Sequence, residues 1–187
     1  SGLMSDTLAG GHRKQLYTPE ERVRRDASVW TLVQGVLAPF QFLVFLISFA
    51  LVVRYFATGE GLQLAAASVV VKTLILYLIM LTGSIWEREV FGKWLFASAF
   101  FWEDMFSMLV LALHTAYLAA WWSGALTPQA LMALALAAYA TYVVNAGQFL
   151  VKLRAARLEG RGAVMATPKA TIETPDAARS ADWGLPS

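Results

Sequence analysis

Long apolar runs separated by short polar connections dominate the chain from residue 30 to residue 152. A helix needs about 20 mostly apolar residues to cross a bilayer, and four of these runs are long enough. They are Trp30–Val53, Leu64–Trp86, Phe100–Trp122 and Gln129–Leu150. Thr127 followed by Pro128 is a favourable N-cap and first-turn pair, so it indicates where the fourth helix begins. The pattern predicts an all-α protein, an integral membrane four-helix bundle.

The polarity pattern also divides the chain into three parts. Residues 1–29 form a polar N-terminal segment, and residues 30–152 form the four-helix unit that carries the candidate chemistry. Residues 153–187 are basic at first and then rich in Gly, Ala, Pro and Thr without apolar periodicity. Such a composition cannot bury a core, so we expect the tail to become flexible from about Glu159 onward.

Composition supports a membrane protein and excludes several kinds of site. Hydrophobic residues make up 58% of the 187 residues and charged residues 15%, against about half and a quarter in soluble domains. The absence of cysteine excludes disulfides, thiolate catalysis and cysteine-ligated metals. With only His12 and His114, one chain cannot hold a haem between two transmembrane histidines. No phosphate-binding loop or nucleic-acid module is present, so nucleic acid is not an expected partner.

The positive charges predict how the bundle sits in the membrane. All 15 Lys and Arg residues except Arg54 and Lys72 lie before the first span, between the second and third, or after the fourth. The positive-inside rule therefore places both termini and the 87–99 connection in the cytoplasm. Lys72 lies within the second span, and we expect its side chain to extend to the outer membrane interface.

One face of the third span carries polar side chains into an apolar environment. Glu103, Ser107, His114 and Tyr117 recur at helical spacing, and Glu103 and His114 differ by only about 20° around the axis. The rise between these two is about 16 Å, so they can line one elongated cleft without touching. Asp104 points about 80° away from His114. A charged side chain at such depth costs about 3 kcal/mol, which makes the acidic pair a candidate site.

Polar residues of the neighbouring spans add to this candidate cleft. Tyr142, Asn145 and Gln148 step by three along the fourth span and form a polar stripe. Gln41 lies near mid-depth of the first span, just after Pro39. Asn and Gln also hold membrane helices together, so a packing role is the alternative for these residues.

Long stretches of the chain resemble the 3-vinyl (bacterio)chlorophyllide hydratase family (BchF) of bacteriochlorophyll biosynthesis. They include LYTPEERVRRDASVWTLVQGVLAPFQFLVFL, VVVKTLILYLIMLTGSIWEREVFGKWLF, FFWEDMFSMLVLALHTAYL and AAYATYVVNAGQFLVKLRAARLEG. The resemblance implies that water adds across the C3-vinyl group of chlorophyllide a, or of 3-vinyl bacteriochlorophyllide, to give a 1-hydroxyethyl group. It implies no separate cofactor, because the chlorin substrate carries its own magnesium. It also implies a bacterial inner, photosynthetic membrane, with the lipid bilayer and other enzymes of the pathway as partners.

The implied reaction needs an acid, a positioned water and a base. A carboxyl group in an apolar environment can stay protonated near neutral pH, and the candidate carboxyls are Glu103, Asp104, Glu87 and Glu89. Glu103 is our first choice for protonating the vinyl terminus, because it shares the face of His114. Asp104 would orient or deprotonate the attacking water. Glu87 and Glu89 are second choices, and the alternative for them is a solvated loop.

His114 suits a different task. A neutral imidazole can serve as an axial ligand of the substrate magnesium or as a donor to a ring carbonyl. The alternative is an ordinary hydrogen-bonded core histidine. Trp102 and neighbouring phenylalanines are expected to flank the flat macrocycle. Two further functions remain open: a non-catalytic pigment-binding or carrier protein, and a small transporter or assembly subunit, although no inverted repeat supports transport.

Overall fold

The computed structural model describes residues 15–166, apart from the side chains of residues 163, 164 and 166. This part of the chain contains five α-helices and no strand. They are α1 (Pro19–Ala27), α2 (Val29–Thr58), α3 (Leu62–Phe91), α4 (Phe101–Ser123) and α5 (Pro128–Ala166). A short 3₁₀ turn, Ser98–Phe100, precedes α4. Helices α2 to α5 are each long and apolar enough to cross a membrane, so the predicted fold class is confirmed.

Glycines and a threonine set the ends of the spans. The chain leaves α2 at Gly59 and α3 at Gly92, with φ values of 71° and 79° that glycine adopts without strain. Both helices therefore extend a few residues beyond the predicted apolar runs. Helix α5 begins at Pro128 as predicted, and the backbone N–H of Ala130 donates to the Thr127 hydroxyl at 3.2 Å.

The last helix continues well beyond the fourth apolar run. Residues 153–166, which we assigned to the tail, are helical, including the segment after Glu159 that was expected to be flexible. The carboxylate of Glu159 accepts a hydrogen bond from the backbone N–H of Leu16 at 3.3 Å, so the helix reaches the described part of the N-terminal segment. The remaining tail, residues 167–187, and residues 1–14 lie outside the described residues.

The four long helices form two hairpins. Helices α2 and α3 pack closely along their length, as do α4 and α5, whereas contacts between the two hairpins are sparser. Small residues of α5, including Ala135 and Ala138, are fully buried and allow close helix approach. Many large apolar side chains are exposed on the outside, which is the arrangement expected of helices facing lipid.

The short helix α1 packs across the end of α3. A capping box between Thr18 and Glu21 starts this helix. The Arg24 Nε–H donates to the backbone carbonyl of Val90 at 2.9 Å. The ring of Tyr17 stacks on Phe91 with 5.6 Å between centroids. These contacts attach the polar N-terminal segment to the end of the bundle where α3 finishes and α4 begins.

Candidate active site

Three carboxyl groups are buried at that end of the bundle. Glu87 of α3 is 3% exposed, and Glu103 and Asp104 of α4 are 9% and 5% exposed. The carboxyl groups of Glu87 and Asp104 lie within hydrogen-bonding reach of each other. Among residues 15–166 no cluster of His, Asp or Glu side chains is arranged to hold a metal ion. The site therefore consists of the carboxyl groups of Glu87 and Asp104, which we call the acid pair, with the Glu103 carboxylate beside them.

A strained backbone position holds Asp104. Its Oδ2 accepts a hydrogen bond from the backbone N–H of Phe96 at 3.0 Å. Phe96 has a φ of 59°, a left-handed conformation that residues other than glycine rarely adopt. Such strain persists only where surrounding contacts enforce it, and it is concentrated at functional sites. The connection between α3 and α4 thus adopts an unfavourable conformation that points an N–H at the acid pair.

Glu103 belongs to a separate ion pair. The Lys152 ammonium of α5 lies 2.9 Å from Glu103 Oε2. The backbone carbonyl of Glu103 accepts from the Ser107 hydroxyl at 2.8 Å and from the Asn145 side-chain amide at 3.0 Å. Asn145 also pairs with Ser107 and with Gln148. Ser107 and Asn145 therefore join α4 to α5 next to the ion pair, and Gln148 supports Asn145 from one turn further along α5.

A second polar group lies deeper in the bundle, where Lys72 and His114 are both fully buried. The Lys72 amine is 3.0 Å from His114 Nε2 and 3.5 Å from the centre of the Tyr142 ring. His114 Nδ1 faces the Val110 carbonyl at 2.8 Å, which can only accept, so Nδ1 carries a proton. In a neutral imidazole Nε2 then carries no proton, so it accepts a hydrogen bond from the Lys72 amine. The prediction that Lys72 reaches the outer interface is wrong, because an acceptor and a ring face hold it inside.

This arrangement bears on the predicted roles of two residues of α4. Both ring nitrogens of His114 already have partners, so it could bind the substrate magnesium only if Lys72 moved away. That role stays a prediction. The second residue is Tyr117, whose hydroxyl donates a hydrogen bond to the backbone carbonyl of Ala66 at 3.2 Å and so connects α4 to α3 on the buried face.

Gln41 presents an unsatisfied polar atom inside the bundle. Its side chain is 3% exposed, and Oε1 has no hydrogen-bond partner among residues 15–166. Gln41 lies on the same face of α2 as Phe45 and Ser48, which contact Tyr142 and Tyr139 of α5. Oε2 of Glu87 is also buried and receives no hydrogen bond from an N–H group or a hydroxyl of residues 15–166. Buried polar atoms are normally satisfied. A water or substrate atom is therefore expected at Gln41 Oε1, and a proton shared with Asp104 is expected at Glu87.

Two of the predicted site residues lie outside the interior. Trp102 is 72% exposed on the outer surface of α4, so it could meet a ligand only outside the bundle. Glu89 is exposed on α3, and its carboxylate accepts from the Ser28 hydroxyl at 2.7 Å. Ser28 caps α2, so Glu89 helps to join α2 to α3.

Residues 17–155 match the family described as 2-vinyl bacteriochlorophyllide hydratase (BCHF). The chain belongs to this family. It is 62% identical over 157 residues to the 2-vinyl bacteriochlorophyllide hydratase of Cereibacter sphaeroides, covering 83% of this chain and 97% of the relative. It is 64% identical over 148 residues to the protein of the same name from Rhodobacter capsulatus, covering 79% of this chain and 85% of the relative. No solved structure matches the chain significantly.

The family match confirms the resemblance inferred from the sequence, and it covers the whole carboxyl cluster. The sequence analysis nevertheless missed two members of this site, Lys152 and the backbone amide of Phe96. Lys152 continues the stripe of Asn145 and Gln148 by one helical turn, so the same spacing could have indicated it. The Phe96 amide carries no signal in the sequence, because a backbone donor is defined only by the path of the chain.

Proposed function

We propose that this protein adds water across the vinyl group of a bacteriochlorophyllide-type magnesium chlorin and forms a 1-hydroxyethyl group. Membership of the 2-vinyl bacteriochlorophyllide hydratase family supports the reaction class. The 2-vinyl group of that name and the 3-vinyl group expected above are the same substituent in two ring numberings. The observation that carries a mechanism is the buried contact between the carboxyl groups of Glu87 and Asp104.

This acid pair can both deliver and recover a proton. Two carboxyl groups in contact and away from water hold one proton between them, because two negative charges so close repel strongly. The pair donates this proton to the terminal carbon of the vinyl group. Positive charge then develops on the carbon next to the ring, where the conjugated macrocycle delocalises it.

Water completes the reaction at that carbon. Its oxygen forms the new C–O bond, and the proton it releases returns to the carboxylate pair. One proton leaves the pair and one comes back, so the site ends in the state in which it began. The addition is redox-neutral, and we therefore propose that no separate cofactor takes part. Magnesium enters as part of the substrate.

The ion pair beside the acid pair suits a supporting role. Because Glu103 Oε2 is ion-paired with Lys152, we assign the mobile proton to Glu87 and Asp104 instead of Glu103. Lys152 also lies close enough to Asp104 to act on its charge. Its ammonium favours the ionised form that the pair takes after donating its proton.

A multi-pass membrane protein fits a substrate as apolar as a chlorin. For its orientation we propose that both termini face the cytoplasm of a photosynthetic bacterium, on the strength of the basic residues at that end. The acid pair would then lie near the cytoplasmic interface, where water is available. Direct contact with other enzymes that supply or consume the chlorin is part of the same proposal.

The direct test is to incubate the purified protein in lipid nanodiscs with the vinyl chlorin in heavy water. The mechanism predicts a product heavier by one molecule of heavy water, with one deuterium on the methyl carbon of the new 1-hydroxyethyl group. A protein that only binds or carries pigment would return the vinyl chlorin unchanged. That result, in a preparation that retains pigment, would reject the hydratase function.

A further inference from the structure

Lys72 is a buried basic group without an acidic partner. It is fully buried in the first half of α3 and forms no ion pair with a carboxylate in residues 15–166. Its contacts are the imidazole of His114 and the ring face of Tyr142. A cation inside a membrane bundle is costly unless it is paired, and such residues commonly mark the path or site of a ligand.

The position of Lys72 relative to the acid pair matches the size of the substrate ring. Asp104 and His114 are separated by ten residues of α4, a rise of about 15 Å, and Lys72 and Glu87 by fifteen residues of α3, a rise of about 22 Å. Because the Lys72 amine lies 3.0 Å from His114 Nε2, the shorter spacing along α4 is the one that the macrocycle with its side groups would span. Both the Glu87–Asp104 contact and the Lys72–His114 contact bridge α3 and α4. The two groups therefore lie along one interface between the hairpins, where helix contacts are sparser than within each hairpin.

The substrate class supplies the missing anion. A chlorophyllide differs from a chlorophyll by having a free propionate where the latter carries an esterifying alcohol. We propose that Lys72 and His114 form the subsite for this propionate when the macrocycle inserts between the hairpins with its vinyl group at the acid pair. This inference rests on the proposed function and extends it to the recognition of the free acid.

The hydrogen-bond pattern suits this task. The Val110 carbonyl fixes the proton of His114 on Nδ1, so Nε2 remains an acceptor for one N–H of Lys72. An ammonium has three N–H donors, so others remain for the carboxylate. The subsite would favour free acids over esterified pigments, because an ester gives no ion pair with Lys72.

The test compares the free acid with its methyl ester. The parental protein is expected to show a KM at least about tenfold lower for the acid, the effect of one charge-assisted hydrogen bond. Lys72→Met should abolish this preference by raising the KM of the acid and leaving that of the ester unchanged. Lys72→Arg should retain a preference for the acid. Lys93→Met, which removes an exposed lysine from the connection after α3, should behave as the parent.

Binding titrations of pigment absorbance separate this proposal from the hydratase function, because they need no turnover. A parental protein that binds acid and ester equally would overturn the subsite even if Lys72→Met did not fold. An unchanged acid preference in folded Lys72→Met would overturn it as well. If the parent binds the acid preferentially but hydrates neither compound, the proposed function fails and the subsite stands.

Discussion

Glu87 of α3 and Asp104 of α4 bring their carboxyl groups into contact across the interface between the two hairpins. They are seventeen positions apart in the sequence, and the connection that joins α3 to α4 turns back so that its Phe96 amide binds Asp104. Two acids held together away from water are a costly arrangement for structure alone. They are well suited to a reaction that needs a proton delivered and then recovered.

The Phe96 amide offers a test of how Asp104 is held. Phe96→Pro removes the N–H donor and locks φ near −65°, which is incompatible with the observed 59°. We expect kcat to fall by at least about tenfold, because a buried acceptor loses its partner. Phe96→Gly keeps the donor and relieves the strain, so it should retain most of the activity. Equal activity in both variants would show that this amide does not matter to the reaction.

The Glu103–Lys152 pair makes a prediction about stability. In Lys152→Met the Glu103 carboxylate, which is mostly buried, loses its partner. We expect this to lower the free energy of unfolding by about 1–3 kcal/mol. Adding Glu103→Gln removes the orphaned charge and should recover much of that loss. Thermal unfolding in one detergent would give both values as a double-mutant cycle. Additive losses in the double variant would mean that the two side chains are not coupled.

Topology can be tested without enzyme activity. Reporter fusions after Gly59 and Gly124, at the ends of α2 and α4, should report the non-cytoplasmic side because the basic residues lie at the other end. A fusion after Gly92 is the control and should report the cytoplasm. A cytoplasmic signal after Gly59 or Gly124 would contradict the orientation and the location proposed for the acid pair.

The sequence predicted those features that depend on one helix at a time. Apolar runs of bilayer length gave the four spans, and the 3.6-residue period placed Glu103, Ser107 and His114 on one buried face, where the structure has them. The start of α5 at Pro128 followed from local capping preferences. In each case the determining interactions lie within a turn or two of the residue concerned.

The features that the sequence did not predict depend on several helices together. Lys72 stays inside because His114 of α4 and Tyr142 of α5 meet it there, and a single-span pattern carries no record of those partners. The pairing of Glu87 with Asp104 depends on the left-handed turn at Phe96, which no glycine signals. Long-range contacts of this kind decide which of the candidate acids form a pair.

The most direct test of the account measures turnover in Glu87→Gln and Asp104→Asn while pigment binding is followed in the same preparation. Each change keeps the shape of the side chain but leaves the pair unable to hold and release its proton. Since general acid–base catalysis contributes about 10²–10⁴-fold, kcat should fall by about that factor in both variants with the chlorin still bound. Glu89 lies two residues after Glu87 on α3 and is exposed. Glu89→Gln is therefore the control and should keep the parental rate. Parental turnover in a folded, pigment-binding Glu87→Gln or Asp104→Asn variant would contradict the central claim.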